Sequence, residues 1–74
     1  MTLLVVLLDR LERQLMDADE AVTIAGDRAR NGDPVRARAD VPFIAAMIKA
    51  ANQTARALLI EAQAHESNES NDNV

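Results

Sequence analysis

The chain predicts an all-α fold, an antiparallel two-helix hairpin, and three observations carry that reading. The first is an apolar repeat spaced alternately four and three residues apart through Leu4, Leu8, Leu11, Leu15, Ala18, Val22, Ala25 and Ala29. The second is a further copy of it through Ile44, Ile48, Ala51, Ala55, Leu58 and Ala62. Such spacing keeps every member on one side of an α-helix. The third is the punctuation between the two repeats, where Asn31, Gly32, Asp33 and Pro34 stand together.

The first helix is predicted over about residues 3–30. Asp9 and Arg13 are placed four apart as a supporting ion pair on its wet face. Gly26 is its weak link, since glycine inside a helix costs up to about 1 kcal/mol relative to alanine. Either the helix frays there or something packs close against the bare backbone. Asn31 and Gly32 tolerate the left-handed conformation that closes a helix, and Asp33 before Pro34 is a start signal of its own, opening at most a short turn or helix through Ala39.

Pro42 interrupts regular helix, so the loop is predicted over about residues 31–41 and the second main helix over about 42–65, with Asp40 as its cap. Eight alanines between Ala45 and Ala64 give that helix strong propensity and little bulk outside its seam. Residues 66–74, rich in Ser, Asn, Asp and Glu, read as a disordered polar tail. Domain organisation is thus one hairpin over residues 1–65 and the tail. Bulk is distributed so that the large early residues of the first seam lie over the small late residues of the second, and the reverse, when the helices run antiparallel.

A chain of 74 residues is one domain at most and lies where a single-chain core is marginal. There is no cysteine and one histidine, so neither disulfides nor a cysteine–histidine metal site supplies the missing stability. Another protein surface is expected to do so, either a second copy in a four-helix bundle, hence a homodimer, or a foreign partner on which the hairpin docks. The partner-binding surface is assigned to the apolar residues outside the two seams: Leu3, Val5, Val6, Leu7, Met16, Ile24, Phe43, Met47, Leu59 and Ile60. The run of residues 3–8 is apolar on every helical face, which calls for neighbours on more than one side. It is too short to span a bilayer and is followed at once by Asp9 and Arg10, so no transmembrane segment and no secretory signal are expected. Absence of cysteine suits a reducing, cytoplasmic setting.

The formal net charge of −4 argues against nucleic acid as a partner overall, although the middle of the chain is basic, with Arg28, Arg30, Arg36, Arg38, Lys49 and Arg56 against Asp33 and Asp40. Phe43 is the only aromatic residue, so no stacking platform for single strands exists. No catalytic, cofactor-binding or metal site is expected. His65 is a helix-end residue with no nucleophile beside it, Ser67 and Ser70 have no positioned base, and of Asp17, Asp19 and Glu20 only Asp17 and Glu20 share a face. The function expected is a non-enzymatic interaction module of the adapter, co-chaperone or inhibitor type, acting through apolar helix surfaces, with no small-molecule substrate.

A second reading comes from residues 44–58, IAAMIKAANQTARAL. This stretch resembles the helix-turn-helix of small DNA-binding regulators. The resemblance implies that Ile44, Ala45 and Ile48 anchor a first helix, that residues 49–51 form the turn, and that Ala55 and Leu58 anchor a recognition helix. Asn52, Gln53 and Arg56, with Lys49 at the turn, would then meet DNA. Lys49 stands where such turns hold glycine. A continuous helix through residues 49–51 removes the turn that this reading requires.

Overall fold

In a computed structural model the chain is two helices, α1 (Leu3–Arg30) and α2 (Pro34–Asp72). The structure describes the backbone over residues 2–72 and side chains over residues 2–64. The all-α hairpin expected from the two apolar repeats is present. Thr2 caps α1, its Oγ1 accepting the Val5 N–H at 3.3 Å.

The connection is three residues long and is built from the residues that announce it. The Asn31 N–H donates to the Asp27 carbonyl at 2.9 Å, and the Asp33 N–H reaches back to the Arg28 carbonyl at 2.8 Å. Gly32 between them has φ of +88°, which closes α1 in a Schellman motif. Asp33 then caps α2, its Oδ1 accepting the Arg36 N–H at 3.3 Å, with Pro34 at the first helical position.

This tight turn corrects the expected loop over residues 31–41 and the expected start of the second helix near residue 42. Asp33 and Pro34 initiate the main helix itself, and α2 runs through Pro42 without ending. Proline is tolerated because the N–H it lacks would have met the carbonyl of Arg38, and both residues sit on the exposed side of α2 where water can serve that carbonyl. Asp40, expected as a cap, instead lies inside α2 and accepts a hydrogen bond from Arg28 across the hairpin. Helical backbone continues through residues 66–72, where the sequence predicts a disordered tail; residues 73 and 74 lie outside the described residues.

The larger correction concerns which stripes meet. With Leu4, Leu11, Ala18 and Ala25 as heptad position a, the sequence reading pairs a with e, the stripe of Leu8, Leu15, Val22 and Ala29. The structure pairs a with d instead: besides Val6 and Gly26, the buried or half-buried residues of α1 are Leu7, Leu11, Gln14, Ala18, Ala21, Ala25 and Arg28. The same rotation occurs in α2. Its inward positions are Ala37, Asp40, Ile44, Met47, Ala51, Thr54, Leu58 and Glu61, while Val41 and Ile48 are exposed. Large residues face small ones along this seam: Ala21 and Ile44 share one groove wall, and Leu7 lies beside Ala57 and Thr54.

The seam is thin. Its most buried members are Leu7, Ala18, Ala25, Ala51 and Thr54, and among the described residues no side chain is fully enclosed. The Thr54 hydroxyl donates to the Ala50 carbonyl at 3.4 Å, and the Gln14 Oε1 is enclosed without a partner. One layer of two helices, 19 Å by 14 Å across, has no third element with which to close a core.

Candidate interaction face

In an antiparallel pair the e positions of both helices fall on the same side of the hairpin. The residues therefore assemble into one face: Leu8, Leu15, Val22 and Ala29 from α1, and Pro34, Val41, Ile48, Ala55 and Ala62 from α2. The loop end of this face shows the juxtaposition directly, because Val22, Ala25, Gly26 and Ala29 line one open, mostly apolar groove with Pro34, Ala37, Val41 and Ile44, Arg38 being the one charged residue in its wall. Leu8, Leu15, Val22, Val41 and Ile48 remain 49, 55, 50, 56 and 48% exposed.

Gly26 sits in the wall of that groove. A Cβ there would meet only the Arg30 guanidinium, at 3.3 Å, so nothing within the chain explains why the position is glycine. The helix does not break there either; α1 runs through it. The bare backbone leaves the loop end hollow, whereas Leu4, Leu8 and Leu11 with Leu58 and Leu59 make the opposite end bulky.

The ten residues assigned to a partner surface from the sequence are distributed over the hairpin, Ile24 lining grooves with Phe43 and with Met47. Leu7 is buried in the seam and Met47 is half-buried in it. Val5 and Leu59 flank the e face. Leu3, Val6, Ile24, Phe43 and Ile60 lie on the opposite side of the hairpin, interrupted by Arg10, Arg13, Asp17, Glu20 and Arg36, and Met16 stands on the outer edge of α1. The e stripe is the other apolar row that each repeat carries in the sequence.

Ion pairs join Arg28 to Asp40, Arg30 to Asp27 and Arg36 to Asp33. The expected pair of Asp9 with Arg13 is not among them; both line a polar groove on α1 with Val6, Arg10, Gln14 and Asp17. Among the described residues no group of three or more His, Cys, Asp or Glu side chains gathers where a metal ion would fit, and no helix is long and apolar enough to cross a membrane. The side chains of His65, Ser67 and Ser70 lie outside the described residues.

The turn that DNA reading requires is not formed, since α2 continues through residues 49–51 and Ala51 is buried against α1. Lys49, Asn52, Gln53 and Arg56 are exposed along the outer side of that uninterrupted helix. Comparison with protein-family profiles, with curated proteins and with solved structures gives no match, so the face has to be interpreted from its own chemistry.

Proposed function

We propose that this chain is a non-enzymatic interaction module, a helical hairpin of the adapter, co-chaperone or inhibitor type whose e face is covered by another helical surface. One observation carries the proposal: a wholly apolar stripe of each helix lies outside the intrachain seam, and both stripes lie on the same face. A strand-like or polar partner would leave the regular rows of Leu8, Leu15 and Val22 and of Val41 and Ile48 unfilled. Helices with side chains at the same spacing fill them.

Site-specific photo-cross-linking in the native cell tests this. A photoreactive side chain placed at Val22 or Ile48 should give discrete protein adducts, and one at Arg13 or Lys49, away from the face, should not. Adducts of equal yield from all four positions, or none from Val22 and Ile48, would overturn the proposal. Adducts with DNA from Lys49 would favour the regulator instead.

A further inference from the structure

We infer that the occupant of the e face is a second copy of this chain, laid face to face with its loop at the opposite end, so that the two hairpins complete an antiparallel four-helix bundle. The inference rests on the interaction-module proposal and names its partner. Area is the first argument. The paired length of the hairpin is that of α1, about 42 Å for 28 residues, and the hairpin is 19 Å wide, so one face offers about 800 Å². A stable interface takes about 800 Å² from each partner, which one such face can supply.

Shape is the second argument, and it sets the orientation. The face has a bulky end, made by Leu4, Leu8 and Leu11, and a hollow end, made by Ala25, Gly26 and Ala29 with Ala37. A twofold axis parallel to the helices would set Leu8 over the partner's Ala55 but Leu15 over the partner's Ile48 and Ala29 over the partner's Pro34, so the pairs near the loop would be the thinner ones. An axis across the helices seats the leucine end of each copy in the hollow of the other, with Leu8 over the partner's Ala29 and Leu15 over the partner's Val22. Any other occupant would need the same gradient of bulk in reverse, and the chain itself supplies it. Gly26 then has a role, as a place where the partner helix can approach the α1 backbone once the Arg30 guanidinium lying over it swings aside.

Helix geometry is the third argument. In a four-helix bundle each helix has two neighbours, so position a points to the centre and both flanking stripes are used, one toward each neighbour. The hairpin uses a with d. The second copy uses a with e, which is the seam that the two repeats display most strongly.

Sedimentation equilibrium of the purified full chain over a hundredfold range of concentration should give about twice the 8.1 kDa chain mass, falling toward one chain on dilution. Val22→Glu and Ile48→Glu should each shift the dissociation constant upward by a hundredfold or more, and Ile24→Glu, on the opposite face, by less than about threefold. Should the glutamate variants lose helicity, orientation is decided in otherwise unaltered chains, because the protein has no cysteine of its own. Leu8→Cys chains mixed with Ala29→Cys chains should form a disulfide under air oxidation, and Leu8→Cys mixed with Ala55→Cys should not. A folded monomer at every concentration, or preferential linkage of Leu8→Cys to Ala55→Cys, overturns the inference. A folded monomer that still gives Val22-specific adducts to a foreign protein would sink the second copy and leave the interaction module standing.

Discussion

Replacing Gln14 by leucine should stabilise the hairpin, and the structure says by how much. Gln14 occupies a d position and lines a groove with Leu7, Arg10, Ala50, Gln53, Thr54 and Ala57, with its Oε1 enclosed and unpartnered. An enclosed acceptor without a donor forfeits about 1–3 kcal/mol, because the hydrogen bonds it made to water in the unfolded chain are not replaced. Leucine is of similar length, removes that penalty and adds apolar contact to the seam. The side chain is only half-buried, so the lower part of that range applies, and Gln14→Leu should gain about 1–2 kcal/mol. For a domain this small each kcal/mol moves Tm by about 4–8 °C, giving a rise of roughly 5–15 °C. Thermal and urea melts followed by circular dichroism at one fixed chain concentration measure it, the concentration being fixed because association also contributes. An unchanged or lowered Tm would refute the reasoning, since it would mean that the Gln14 amide finds a partner in the folded protein.

Three further substitutions separate the devices that shape the fold. Gly32→Ala puts a Cβ at φ of +88° and should lower stability by about 1 kcal/mol in the same melts, although nothing lies within 4 Å of the added atom; a neutral result would mean that the turn rearranges. Pro42→Ala restores a helical hydrogen bond inside α2 and should raise stability by about 1–3 kcal/mol, a gain that amide exchange would locate around residues 38–46. Gly26→Ala should raise the stability of dilute chain by about 0.5–1 kcal/mol, since the Arg30 guanidinium can move aside, yet weaken self-association by filling the hollow; opposite signs in melting and sedimentation are the expected signature.

Much of the architecture was legible because it rests on local chemistry. The two repeats specify helices, Asn31 and Gly32 stop the first, and Asp33 with Pro34 start the second. Pro42 misled, because a proline forbids helix only when the orphaned carbonyl has nowhere to turn, and here it faces water. The seam misled for a different reason. Each helix carries three adjacent stripes, and the d stripe contains Gln14 and Arg28 on α1 and Asp40, Thr54 and Glu61 on α2, so by polarity alone it looks like a solvent face. Arg28 and Asp40 become acceptable inside only because they meet each other across the hairpin, and such complementarity belongs to the pair, not to either repeat.

Why the chain keeps its more polar stripe for itself and turns the greasier one outward follows from the cost of bringing the surfaces together. Within the hairpin a three-residue connection holds the helices at high effective concentration, so a seam of alanines with a few larger residues such as Leu7, Ile44 and Leu58, one ion pair and an unsatisfied glutamine is enough to align them. A contact with a separate molecule has to offset the loss of translational and rotational freedom, about 4–15 kcal/mol, and only the leucine, valine and isoleucine rows are rich enough to do so. Polar d positions add direction to that economy. A hairpin closed through a and e would strand Arg28 and Asp40 on the open face, where a second apolar surface could not cover them; closing through a and d pairs them and leaves Arg38, at the rim of the loop-end groove, as the charged residue on the outward side. On this reasoning the weak inner seam is the condition for the strong outer one, and making the inner seam greasier, as in Gln14→Leu, should stabilise the hairpin without strengthening its association.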